Sequence, residues 1–152
     1  MLLTDLLSRD RVLVPLRGTT KAEVMRELVV AALPGADGET VESVMRALQA
    51  REEVLSTGIG EGVAIPHAKT GLVGDLLMAA GVSAQPVDFD SLDGRPVDLF
   101  FMLLGSEAAA GAHVKALGRI SRVLRRPGLR EALRAAPDAD AFVRIIADSE
   151  AG

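Results

Sequence analysis

The 152-residue chain has no cysteine, no tryptophan and no tyrosine, and only two histidines, His67 and His113. Without cysteine there is no thiol nucleophile, thiolate zinc site, iron–sulfur centre or disulfide framework. The lack of disulfides fits a reducing compartment. Aromatic residues make up 3% of the chain, too few for the stacking platforms of single-strand nucleic-acid binders. Positive charge is also short: 17 basic side chains face 21 acidic ones, a net −4. Sequence-independent nucleic-acid binding needs a basic surface, so no nucleic-acid partner is expected. The longest apolar runs, Leu76–Ala80 and Leu99–Leu104, fall far short of the roughly 18 residues of a membrane helix. The first residues, MLLTDLLSRDR, mix acid and base early and do not read as a signal peptide. A cytoplasmic protein without direct membrane insertion is expected.

What is present is an ordinary globular composition, 49% hydrophobic and 25% charged, in a length that suits one domain over residues 1–152. No repeat, low-complexity tract or long linker divides it. Arg11–Leu16 reads as a short strand ending at Pro15. Thr20 and Glu23 form a capping box for a helix carrying Met25, Leu28, Val29 and Ala32 at helical spacing. A second helix runs from about Glu39 to Glu53 on the stripe Val41, Val44, Met45, Leu48. Val63–Pro66, Leu76–Val82 and Val97–Leu104 read as strands, the last two nearly continuous apolar runs that suit burial on both faces. Helices follow at roughly Ala110–Arg126, Gly128–Ala136 and Ala139–Ala147, separated by Pro127 and Pro137, with Asp138 as an N-cap. The predicted order is β-α-α-β-β-β-α-α-α. It implies an α/β fold, a three-layer α/β/α sandwich around a small mixed sheet.

Two helices place polar groups on inward faces. Val44, Leu48 and Arg51 lie four and three apart, so Arg51 leans toward the core at a helix end, where the dipole favours a cation. His113, Leu117, Ile120 and Leu124 form one inward stripe. A histidine on an apolar face is more often a satisfied core residue than a functional one, and this helix N-terminus disfavours its protonated form. Lys115, Arg119, Arg122 and Arg126 repeat the spacing two residues later and read as a solvated face.

Between the second helix and the next strand lies STGIGEGVAIPHAK. Gly58, Gly60 and Gly62 permit unusual backbone angles and close approach of a ligand, and successive N–H groups in such a loop can form an anion nest. A structural turn is the plainer alternative. A P-loop is excluded because it needs Gly-Lys-Ser or Gly-Lys-Thr before a helix. The dinucleotide fingerprint follows a strand and opens a helix, whereas these glycines do the reverse. His67 follows Pro66 at a strand end, where proline fixes its own φ and restricts Ile65. If Arg51, His67 and His113 converge, they offer a neutral nitrogen nucleophile and donors matched to a phosphoryl group. A metal site would need carboxylates such as Asp88 or Asp90, and no ligand spacing supports one.

The string RxxxxSTGIGEGVAIPHAK, Arg51 through Lys69, resembles the active-site signature of phosphotransferase-system enzyme IIA proteins of the fructose/mannitol/nitrogen class. The resemblance extends over VDFDSLDGRPVDLFFMLL, Val87–Leu104, and the later His113-x3-Leu117-x2-Ile120 helix. It implies that His67 is the phosphorylated histidine, that His113 lies beside it and helps hold the phosphoryl group, and that Arg51 contacts the phosphate at the site edge. Thr57, Gly58, Gly60 and Gly62 would form the phosphate-binding loop.

The same resemblance implies a phosphocarrier that accepts its phosphoryl group from phospho-HPr, or from the nitrogen-branch relative of HPr, with no metal or cofactor. The family passes the group to a cysteine of a IIB domain. This chain has no cysteine, so its partner would be a separate IIB component, or a regulatory target if the chain acts in the nitrogen branch. Cytoplasmic domains of anion transporters share the fold as interaction modules without phosphorylation, which supplies the alternative expectation.

Overall fold

Residues 1–151 are described by a computed structural model of the chain. Strand β1 (Val12–Leu16) leads into helices α1 (Lys21–Ala32) and α2 (Gly38–Val54). Five strands follow: β2 (Gly58–Gly60), β3 (Val63–Ala64), β4 (His67–Lys69), β5 (Leu77–Val87) and β6 (Val97–Gly105). Helices α3 (Ala110–Leu124), α4 (Leu129–Arg134) and α5 (Ala139–Ala151) end the described chain. The alternation of β6 explains the layering. Leu99, Phe101 and Leu103 pack into a core with Ile120, Leu133, Phe142 and Ile146 from the last three helices. Phe100, Met102 and Leu104 pack on the other face with Leu28 and Leu48 from α1 and α2. Adjacent residues of a strand point to opposite faces, so one apolar run feeds two cores. Phe100 and Phe101 are both at 0% exposure, and each burial stabilises by about 2 kcal/mol.

The sheet is mixed, as expected, in the order β1-β5-β6-β3-β2, with β4 also paired to β6. β1 runs parallel to β5, while β5 and β6 are antiparallel. Gly81 lies beside β1 because a Cβ there would meet the Leu13 carbonyl oxygen at 2.5 Å.

Among the described residues the predicted layers and all five helices are present, but the sheet has six strands rather than four. The glycine segment supplies β2, which pairs antiparallel with β3. The expected Val63–Pro66 strand is broken. β3 pairs with Leu99 and Phe100, and β4 resumes alongside the same strand at Leu103. The break falls at Ile65–Pro66 because proline has no N–H for a ladder and the Ile65 N–H leaves the sheet for the Thr57 carbonyl at 3.0 Å. His67 therefore opens β4 rather than following a strand end.

The caps are as read. Thr20 Oγ1 accepts from Glu23 N at 3.2 Å, and Asp138 Oδ1 accepts from Ala141 N at 2.8 Å. α5 runs to Ala151, past the predicted Ala147. Its last turns are held from afar: Glu150 accepts from Leu3 N at 2.7 Å and from Arg119 Nε at 3.0 Å.

Candidate functional site

His67, His113 and Arg51 meet at the start of β4. Ala68 faces the α1–α2 core, so period two turns its neighbour His67 toward α3. There the His67 and His113 rings lie 5.2 Å apart, edge to face at 66°. From the last turn of α2, Arg51 Nε–H donates to His67 Nε2 at 3.2 Å, and its Nη1 donates to the Leu55 carbonyl at 2.8 Å. The other ring nitrogen, Nδ1, is 2.8 Å from the Ile65 carbonyl oxygen. A carbonyl only accepts, so Nδ1 carries the proton and Nε2 keeps its lone pair. Burial pushes the His67 pKa below its ordinary value. The Ile65 bond opposes that, and the Arg51 and Lys69 cations add to it. The ring is therefore neutral at pH 7, with its basic nitrogen on the side of Arg51.

His113 is 3% exposed, and neither ring nitrogen has a hydrogen-bond partner among the described residues. It is buried as the apolar stripe foretold, but it is not a satisfied core histidine. Burial, together with His67 and Lys69, lowers its pKa to about 4. Orphaned buried polar groups are rare and costly, and they concentrate where a ligand or a reaction uses them.

The glycine loop departs from the anion nest. Positive φ occurs at Gly60 (104°), Glu61 (57°) and Gly62 (79°), where the chain turns from β2 into β3. The anion against this turn belongs to the chain itself: Asp93 Oδ2 accepts from Glu61 N at 2.9 Å. A Cβ on Gly58 would meet Ser91, and one on Gly62 would meet Arg134 Nη2 at 2.6 Å. Gly58 and Gly62 thus leave room for neighbouring side chains of the same molecule. Thr57 does not present its hydroxyl to the histidines either. Its Oγ1 donates to Glu52 Oε2, and its N–H donates to Glu52 Oε1 at 3.1 Å. Sequence spacing identified the loop but not which side of it the histidines occupy.

Among the described residues no group of three or more histidine, cysteine or acidic side chains could hold a metal. Asp88 accepts from the Asp90 amide at 3.1 Å in a local turn. No described helix is long and apolar enough to cross a membrane.

The family described as "Phosphoenolpyruvate-dependent sugar phosphotransferase system, EIIA 2" matches residues 5–149. The chain belongs to this EIIA 2 family. Similar proteins include a "Nitrogen regulatory protein" of Pseudomonas aeruginosa, 40% identical over 99% of this chain and 97% of its own length. Another of the same name, from Bradyrhizobium diazoefficiens, is 37% identical over 97% and 95%. The crystal structure of nitrogen regulatory protein IIA-Ntr from Neisseria meningitidis superposes with a TM-score of 0.84 at 29% identity, covering 95% of this chain and 98% of that one. Membership makes the chain a phosphotransfer component of that system.

Next to Arg51 in this EIIA 2 chain stands a buried residue that sequence reasoning did not single out. Glu52 continues the inward stripe seven residues after Met45, and it is buried among apolar neighbours. A carboxylate on an apolar stripe was the available signal, but its partners Lys21 and Thr57 come from other segments.

The buried His113 is expected to make this EIIA 2 chain acid-sensitive. Its folded pKa of about 4 lies below the ordinary 6.5. Between those values the unfolded chain binds the proton and the folded chain does not, so stability falls as pH drops from 6.5 toward 4. The full loss is about 3 kcal/mol. His113→Leu is expected to lose less stability than the parent between pH 7 and pH 4.5, measured by urea unfolding at both pH values. Equal losses in the two proteins would remove His113 as the cause.

Proposed function

We propose that this chain is a phosphohistidine carrier in which His67 Nε2 accepts a phosphoryl group from the phosphohistidine of HPr or of its nitrogen-branch relative. A single observation carries the reading. His67 is held as the Nδ1–H tautomer by the Ile65 carbonyl, and its Nε2 lone pair faces the Arg51 guanidinium.

In the proposed step the donor N–P bond breaks as the His67 Nε2–P bond forms. The attacking nitrogen has no proton to lose, because the ring proton stays on Nδ1. Charge develops on the equatorial phosphoryl oxygens. Arg51 shifts from Nε2 to those oxygens, where a guanidinium is a bidentate donor. The orphaned nitrogens of His113, 5.2 Å away ring to ring, supply a further donor. Catalysis is then positioning and electrostatics, without metal or nucleotide. Thr57, Gly58, Gly60 and Gly62 enter as the scaffold of this phosphate site rather than as its direct donors.

Downstream, the chain hands its phosphoryl group to a separate IIB component, or its phosphorylation state governs a regulatory target. The regulatory role is favoured because the two nitrogen regulatory relatives align over nearly their whole lengths. The proposal treats residues 1–152 as one domain and includes a cytoplasmic location.

Incubation with enzyme I, HPr or its nitrogen-branch relative, and labelled phosphoenolpyruvate tests it. Acid-labile, base-stable label on the His67 peptide is expected. A chain that takes no label from either donor is the interaction module instead.

A further inference from the structure

We infer that Glu52 and Lys21 are positioning residues for the phosphoryl-accepting histidine, acting through Thr57 and Ile65 on the ring proton of His67. This inference rests on the proposed role of His67, but its primary readout does not require phosphorylation.

Glu52 is a carboxylate at 9% exposure in the last turns of α2. A charge in such a place costs stability unless it is paired and hydrogen-bonded. Here both oxygens are used. Oε1 takes Lys21 Nζ at 2.8 Å and Thr57 N at 3.1 Å, and Oε2 takes the Thr57 hydroxyl. Lys21 opens α1, donates to the Phe89 carbonyl at 3.4 Å, and lies 4.5 Å over the Phe89 ring. Ser56 Oγ donates to the same carbonyl at 2.7 Å. The start of α1, the end of α2 and the entry to β2 are thus clamped together.

The clamp continues to the histidine. The Thr57 carbonyl accepts from Ile65 N at 3.0 Å. The Ile65 carbonyl in turn faces His67 Nδ1 at 2.8 Å. Arg51, directly before Glu52, donates to Nε2 from the same helical turn. One turn of α2 therefore governs both ring nitrogens, Nε2 directly through Arg51 and Nδ1 through Glu52, Thr57 and Ile65. An apolar residue at position 52 would fill the core equally well, since buried ion pairs seldom outperform apolar packing. What Glu52 adds is the position of the Thr57 backbone, and with it the acceptor that selects the His67 tautomer.

The test uses ring ¹⁵N NMR of the unphosphorylated full chain at pH 8, beside the phosphorylation rate. Only two histidines are present, so the two rings can be assigned by difference with His113→Leu. The parent is expected to show His67 as one tautomer, protonated at Nδ1. Thr57→Val keeps the side-chain shape and the backbone bond to Glu52 but loses the hydroxyl. It is expected to mix the tautomers and slow phosphorylation about tenfold, the worth of one charge-assisted hydrogen bond. Glu52→Gln is expected to do at least as much, and Thr57→Ser to restore both readouts. A folded Thr57→Val with the parent tautomer and rate would overturn the inference, even if its Tm had fallen. Should Glu52→Gln not fold, Thr57→Val against Thr57→Ser decides. A parent chain that shows the Nδ1–H tautomer but takes no label overturns the proposed function, and the tautomer readout of Thr57→Val then still decides whether Glu52 and Thr57 position the His67 ring.

Discussion

His67→Gln is expected to take up no detectable phosphoryl group from any HPr-type donor, while keeping the fold. Glutamine is close in size and its carbonyl can accept the Arg51 hydrogen bond, so the packing against α3 is retained. It has no basic nitrogen lone pair, so no N–P bond can form. The loss should be complete rather than partial, because His113 is a poor substitute acceptor. That ring is 3% exposed, and an incoming donor cannot align behind a buried nitrogen. Acid-labile label quantified on the variant measures this. Label at parent levels would move the acceptor to another residue.

Arg51→Met is expected to slow phosphorylation of His67 about a hundredfold, the usual size for loss of one donor to a developing anion. It should also move the pH dependence. Arg51 lowers the His67 pKa by its charge, so its removal raises that pKa. Only the neutral ring attacks, so the acid limb of the rate profile shifts to higher pH. Arg51→Lys separates the two effects. It keeps the charge and should restore the pH limb, but a point charge lacks the planar fork and recovers only part of the rate. A single-turnover pH profile of all three proteins is the measurement. Unchanged rate and limb in Arg51→Met would reduce Arg51 to a helix-end cation, the plainer reading of its position.

Much of the site was legible because its signals are local. The i, i+4, i+7 spacing of Val44, Leu48 and Arg51 turned the arginine inward, and Arg51 does reach His67 at 3.2 Å. The stripe through His113 foretold its burial. The role of the glycines was left between an anion nest and a structural turn for a physical reason. Alternate glycines permit an anion nest and a tight hairpin equally, and the choice depends on Asp93, 32 residues from Glu61. The extra strands β2 and β4 were missed because each has three residues. Segments that short carry no readable period, and they are strands only because β3 and β6 lie alongside them.

The sequence by itself determined the layers, the helices, the excluded chemistries and the identity of the three side chains that could handle a phosphoryl group. Periodicity, caps and composition are properties of neighbouring residues, and they survive without a fold. Only the tertiary structure decided how those side chains are held. The Nδ1–H tautomer needs the Ile65 carbonyl, whose position depends on Thr57, Glu52 and Lys21. The burial of His113 depends on what α3 meets at the start of β4. Hydrogen-bond direction and desolvation are set by groups brought together across the chain, and no spacing in the sequence encodes them.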